Sequence, residues 1–223
     1  MKVTYIHHSG FLVETKNSYY LFDYEEGSLP ALNTAKPIYV LSSHCHDDHF
    51  NPEVFPLLKK MGMAHIQAVL SDDIDEPVSA PTRMVSPNME YTLDQQQKLT
   101  TFRSTDLGVA FLIEDQQELI YHAGDLNDWV WEGESEDYNA GMTARYREQI
   151  LLLAEKLDHR EIDVAFVVLD PRQEKDYDRG LCYFLRTISA KQVYPMHYWD
   201  KPAIIETFLT DHLEYQSKIQ RTE

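Results

Sequence analysis

Cysteine is nearly missing from this chain: only Cys45 and Cys182 occur in 223 residues. A disulfide framework is not expected, because Cys45 stands between two histidines, where a cross-link would distort any metal site. The cytosol is the expected compartment. Long apolar runs are absent too, none approaching the ~18 residues of a membrane helix. The N-terminus alternates polar and apolar residues instead of carrying an apolar stretch, so neither a signal peptide nor an anchor is expected. Basic charge is scarce: 20 Lys and Arg face 37 Asp and Glu, for a net charge of −17. Such a surface repels polyanions and lacks a basic footprint, so a small-molecule substrate is expected, with no nucleic acid and no membrane as partner. Oligomeric state leaves no trace in the sequence.

Hydrophobic residues at 43% and charged residues at 26% match ordinary globular usage, which sets aside disorder and coiled coil. No stretch looks like a linker and no repeat is visible, so a single domain over 1–223 is expected. Val3 to Ile6, Gly10 to Thr15 and Tyr19 to Asp23 read as short strands rich in β-branched and aromatic residues. Pro37 to Ser42 is continuously apolar in its middle, the pattern of a strand buried on both faces. Asn51-Pro52 then reads as an N-cap with Pro at the first helical position, opening a helix to about Lys60. Strands are expected again from His65 to Leu70, Arg83 to Val85, Glu90 to Leu93, Lys98 to Arg103, Val109 to Ile113 and Glu118 to His122. A polar loop with tryptophans should cover Leu126 to Gly141. Helical periodicity follows from Thr143 to Leu157, with Tyr146, Ile150, Leu153 and Leu157 on one face. Val164 to Leu169 and Gln192 to Tyr194 read as strands, Arg179 to Ile188 and Pro202 to His212 as helices. Strands followed by helices, twice over, imply an α/β (α+β) fold with two sheets packed face to face and helices outside.

His159 and His212 sit in charged or helical surroundings and read as ordinary surface or core histidines. The segment Ser43-His44-Cys45-His46-Asp47-Asp48-His49 is different. It gathers three imidazoles and two carboxylates at the C-terminal end of a buried strand, where such sheets present their ligands. Zinc accepts both donor types, and a catalytic site keeps one position for water. Spacing lets His44 and His46 reach one ion and Asp48-His49 turn toward a second, with Cys45 and Asp47 pointing away.

This segment resembles the His-x-His-x-Asp-His signature of the metallo-β-lactamase superfamily. Asp23 resembles its first structural aspartate, His122-Ala123-Gly124-Asp125 its bridging-aspartate segment, and Tyr194-Pro195-Met196-His197-Tyr198 its late histidine. The likeness is greatest to compact lactonase-like members such as ascorbate-6-phosphate lactonase. It implies a four-layer αββα sandwich and one or two divalent metal ions, zinc first, with manganese or iron as alternatives. It further implies His44 and His46 on one metal, Asp48, His49 and His197 on the other, and Asp125 between them. The family supplies a third histidine to the first metal from the loop that here reads Phe102-Arg103-Ser104-Thr105-Asp106-Leu107-Gly108. No histidine is present there, so the first metal is weakly held, exchanged for another ion, or absent. His8, Asp23, Ser104 and His122 are read as supporting the ligands, His8 equally as a buried strand histidine. The Leu126 to Glu132 segment reads equally as an aromatic wall over the site or as a loop packed on the core. Arg172 would bind an anionic substrate group or, more simply, pair with Glu174 and Asp176.

The implied activity is hydrolysis of an ester, lactone, thioester, amide or phosphodiester of a small molecule, using a metal-bound hydroxide. A bound ion lowers the pKa of water toward ~7. Asp48 would orient the nucleophile and return a proton to the leaving group. Tyr198 would donate to the developing oxyanion. Two rival readings are a metal-binding protein of the same fold without hydrolase activity, and a di-iron redox protein. The second is disfavoured because flavin-linked di-iron relatives carry Glu where this chain has His46.

Overall fold

The structure, a computed structural model, describes residues 1–94 and 97–222. It divides into two compact units, Met1–Ser86 and Pro87–Glu223.

The first unit contains β1 (Lys2–His7), β2 (Gly10–Glu14), β3 (Tyr19–Phe22), β4 (Ile38–Ser42), α1 (Val54–Lys60), β5 (Ile66–Ser71) and β6 (Thr82–Val85). They form one sheet in the order β1-β2-β3-β4-β5-β6. Its first two pairings are antiparallel and the remaining three parallel. By this alternation β1, β3, β4 and β5 all end at the same edge. Four short loops are thereby collected there: His8 after β1, Asp23 after β3, the histidine-rich segment after β4 and Asp73 after β5. Both faces of β3 and β4 are buried, as their apolar runs imply. Helix α1 sets Val54, Phe55 and Leu58 against Leu12, Leu21, Val40, Ala68 and Leu70 of the sheet. Each such side chain removed from water contributes roughly 1.5–3 kcal/mol. The helix begins later than the Asn51-Pro52 pair implied. Asn51 caps the turn that precedes it, its Oδ1 accepting from Glu53 N at 3.0 Å, and α1 proper opens at Val54.

The second unit contains β7 (Glu90–Thr92), β8 (Gln97–Arg103), β9 (Val109–Asp115), β10 (Glu118–His122), α2 (Glu136–Leu157), β11 (Ile162–Val168), α3 (Arg179–Thr187), β12 (Ala190–Met196) and α4 (Ala203–Asp211). The sheet order is β12-β11-β10-β9-β8-β7. Strands β7 to β10 pair antiparallel, and β11 and β12 add in parallel. Here β8, β10, β11 and β12 end at one edge, which carries Ser104 to Asp106, Asp125, Asp170 and His197. Helix α2 buries Tyr146, Ile150, Leu153 and Leu157, the face its periodicity indicates. It starts seven residues earlier than that periodicity, taking in residues expected to be loop. Ser135 is the N-cap, its side chain accepting from Tyr138 N at 3.2 Å, and Glu136 and Asp137 favour the positive helix end. The first turns carry no apolar stripe, so capping chemistry and not periodicity sets this boundary. A 3-10 segment at Pro171–Asp176 was not legible in the sequence. Among the described residues no helix is long and apolar enough to cross a membrane.

Candidate metal centre

In the first unit, His8 and Asp23 hold left-handed backbone, with φ of 48° and 40°. That conformation costs a non-glycine residue about 1–2 kcal/mol and persists only where the surroundings enforce it. Asp23 is enforced by its carboxylate. Wholly buried, it accepts from Ser43 N and Ser43 Oγ at 2.7 Å each and pairs with His49 Nδ1 at 2.8 Å. One buried carboxylate thus fixes both the entry to the histidine segment and the ring of its last member. Gly10 lets the chain pass this point: a Cβ there would lie 2.8 Å from His7 O and 3.1 Å from Asp23 O.

With Nδ1 of His49 committed, its Nε2 faces the other way, 3.9 Å from Asp48 Oδ2. His8 Nε2 comes to 3.4 Å from the same oxygen. His8, Asp48 and His49 therefore offer atoms within 4.8 Å of one another. Between the two expectations for His8, this arrangement favours a place beside the ligands over a purely packed histidine. His44 Nε2 and His46 Nδ1 stand 3.0 Å apart, while Cys45 and Asp47 are exposed. Cys45 N donates to Asp73 Oδ2 at 3.0 Å, which braces the segment from the end of β5.

In the second unit, β10 ends in His122-Ala123-Gly124-Asp125. His122 is buried, and its Nδ1 accepts from Gly124 N at 3.1 Å. Gly124 takes a φ of 51°, so the turn that delivers Asp125 rests on this bond. His197 follows β12 with a φ of 63°, again strained backbone at a site residue. Its Nδ1 pairs with Asp170 Oδ2 at 3.0 Å, and its Nε2 stands 3.3 Å from Asp125 Oδ1. Burial by itself would raise the Asp170 pKa. Hydrogen bonds from His197 and Arg172 outweigh that and hold it at about 2.

Asp170 was not read from the sequence as a partner of His197, because 27 residues separate them. Nor was Asp106. Its carboxylate and that of Asp125 can offer ligand atoms within 4.8 Å of each other, so the loop without a histidine presents an acid instead. Two bonds place it: buried Ser104 accepts from Asp106 N through Oγ at 3.1 Å, and Thr105 Oγ1 donates to Asn127 O at 2.6 Å. The signal in the sequence is the aspartate itself, which stands in the loop where the family pattern has a histidine.

One side chain, that of Arg172, differs from expectation. Arg172 pairs with Asp170, not with Glu174 or Asp176; its Nε and Nη2 reach Oδ2 at 2.8 and 2.5 Å. Its guanidinium also lies 4.7 Å over the Trp199 ring, so its charge is already neutralised and stacked. Tyr198 turns its hydroxyl to Thr222 Oγ1 at 2.5 Å, which gives it a partner other than a substrate oxygen. The tryptophan segment packs on the protein and also borders a cavity. Trp129 is buried and donates from Nε1 to Asp125 O at 2.8 Å, and it stacks on Trp131 at 5.8 Å. Both rings, with Asp106, Asp125 and Arg172, line a cavity of about 250 Å³.

These donors suit a divalent ion. Two ligands of one ion at ~2.0–2.1 Å in tetrahedral array lie about 3.3–3.4 Å apart. The His197–Asp125 separation of 3.3 Å matches that spacing. A carboxylate behind the far nitrogen of His49 and of His197 is the usual support of a metal-binding imidazole.

Comparison with known proteins agrees. The beta-lactamase superfamily domain matches residues 2–136. A protein of Nanoarchaeum equitans (strain Kin4-M), named a UPF0173 metal-dependent hydrolase, is 26% identical over 205 residues, covering 92% of this chain and 86% of its own. The structure of Igni18, a metallo hydrolase from Ignicoccus hospitalis, aligns with a TM-score of 0.65 at 16% identity, over 99% of this chain and 94% of that one. CmlA, a diiron beta-hydroxylase from Streptomyces venezuelae, aligns with a TM-score of 0.60 at 12% identity, over 99% of this chain and 52% of that one. The two mixed sheets with few helices are the fold of these proteins, and the chain belongs to the metallo-β-lactamase superfamily.

Proposed function

We propose that this chain, a metal-dependent hydrolase of its superfamily, cleaves an ester, lactone, amide or phosphodiester of a small molecule with zinc as its ion. The observation that carries the reading is a repeated one: Asp23 behind His49 and Asp170 behind His197, each turning Nε2 of its partner toward an aspartate. His44, His46, Asp48 and His49 of the first unit and Asp125 and His197 of the second would hold the metal, as the sequence pattern implies. Asp106 joins them in the role that relatives give to a histidine. When bound, such an ion acts as a Lewis acid and makes nucleophilic water available near neutral pH.

The chain's own residues do the rest. Asp48, with its side chain 26% exposed, is open enough to solvent to take a proton from the attacking water and return it to the leaving group. Trp129 and Trp131 make an aromatic wall beside Asp125 on one flank of the cavity. The cavity of about 250 Å³ falls below the usual ~300–1,000 Å³ of drug-sized sites, which favours a compact substrate. Arg172, already paired, acts through Asp170 on His197 and is not assigned to an anionic substrate group. Tyr198 is left out of the chemistry. A lactone remains the first substrate to try, on the likeness to lactonase-like sequences, and the cytosol the compartment proposed.

The test is metal analysis of the purified protein followed by a panel of ester, lactone, thioester, amide and phosphodiester substrates, before and after chelation. Hydrolysis of one class that chelation abolishes and zinc restores is expected. Hydrolysis indifferent to chelation, or none on the whole panel by a zinc-loaded protein, would sink the proposal. The second of these results with metal bound would favour the non-catalytic metal-binding reading.

A further inference from the structure

Asp178, Cys182 and His212 lie in the second unit and play no part in the chemistry above. Asp178 is the N-cap residue of α3, yet its side chain makes no capping bond to that helix. It turns to His212 instead, Oδ2 to Nε2 at 2.6 Å. Cys182 stands one turn further along the same face of α3, its N–H bonded to Asp178 O at 2.8 Å. Its Sγ is 3.5 Å from His212 Nε2 and 3.7 Å from Asp178 Oδ2. His212 closes α4 at its C-cap, and its ring is held by Phe208 at a centroid distance of 4.7 Å.

The arrangement is not that of an activated thiol. A relay would use one imidazole nitrogen for the carboxylate and the other for the sulfur. Here Nε2, the nitrogen bonded to the carboxylate, is also the nearer one to the sulfur, at 3.5 Å against 4.0 Å for Nδ1, so thiol, imidazole and carboxylate converge around one point. From these contacts we infer that Asp178, Cys182 and His212 form a second metal site, with the donor set of a zinc-class ion.

The separations support it. With Zn–S near 2.3 Å and Zn–N or Zn–O near 2.0–2.1 Å, tetrahedral angles place S about 3.5 Å from N and from O, and N about 3.3 Å from O. The two sulfur distances already agree. The short imidazole–carboxylate bond needs to open by about 0.7 Å, since a proton now occupies the line a larger cation would bridge. Asp178 and His212 side chains remain 24% and 23% exposed, which leaves a route for the ion and for water as a fourth ligand. In the sequence His212 looks like an ordinary histidine, because its partners lie 30 and 34 residues away.

Cobalt(II) titration of the metal-free full-length protein tests it, since a thiolate ligand gives a charge-transfer band that imidazole and carboxylate do not. Cys45 also lies near candidate ligands, so Cys45→Ser is the necessary control. The band is expected in the wild type and in Cys45→Ser, and lost in Cys182→Ser with one zinc fewer per chain by elemental analysis. His212→Gln, at the partly exposed end of α4, tests the site without disturbing the buried thiol, and should weaken that binding step at least 10-fold while the melting transition stays cooperative. No thiolate band in the wild type, a band that survives Cys182→Ser, or unchanged cobalt affinity in His212→Gln would overturn the inference.

Discussion

His197 Nδ1 pairs with Asp170 Oδ2 at 3.0 Å. Because the aspartate is wholly buried, this contact decides which nitrogen of the imidazole faces outward to a ligand. Asp170→Asn keeps the shape of the pair but removes the charge. A loss of about 10- to 100-fold in zinc affinity is expected, with little change in secondary structure. Calorimetric titration of the metal-free variant checks it; unchanged affinity would reduce Asp170 to a packing residue.

The same carboxylate has a consequence for acid stability. Its pKa in the folded chain is about 2, below the ordinary aspartate value of 3.8. A depressed pKa adds stability that is complete above the unfolded value and is lost as pH falls through the folded one. The window is therefore from about pH 4 down to about 2, and the difference amounts to about 2 kcal/mol. Denaturant unfolding of metal-free wild type and Asp170→Asn should show their gap in stability shrinking across that window. A gap independent of pH would contradict the assignment.

Asp125 and Asp106 line the same cavity as Trp129 and Trp131. Asp125→Asn should lower the metal content of the purified protein and abolish hydrolysis while circular dichroism stays the same. If occupancy and rate survive, Asp125 is only a turn residue.

Asp106 and His122 are opposed candidates for strengthening the first metal position. Since His122 Nδ1 is taken by Gly124 N, His122→Ala should retain every zinc-binding step of the wild type, at a cost in stability for the emptied volume. Asp106→Asn should remove the weaker step from the calorimetric trace. The reverse pattern, a step lost with His122 and kept without the Asp106 charge, would exchange their roles.

Gly180 on α3 touches the loop that carries Trp129. A Cβ at this position would lie 1.8 Å from Asn127 Oδ1, and Asn127 Nδ2 is itself bonded to Gln173 Oε1 at 2.7 Å. Gly180→Ala should cost about 1–3 kcal/mol, the usual price of overpacking, outweighing its gain in helix propensity. A thermal melt decides it, and a variant as stable as the wild type would show that Asn127 moves aside freely.

Much of the chain was legible before any fold was known. The segment from His44 to His49 and the turn at Asp125 declare themselves because their residues are neighbours in sequence, and strands such as Glu118 to His122 appear at the expected bounds because alternation and apolar runs are local properties. Helix α2 marks the limit of local reading: its packed face was plain, but its start depended on the cap at Ser135. What only the tertiary structure decided is which distant carboxylate serves which histidine. The parallel register of β10, β11 and β12 ends three strands at one edge, and so brings Asp125, Asp170 and His197 together from separate connections. The bond between Asp23 and His49 arises in the same way from β3 beside β4, and the approach of Cys182 to His212 from the docking of two helix ends. Composition and periodicity specify each strand and helix by itself, whereas the partner of a buried polar group is chosen by sheet order and register, which no local window contains.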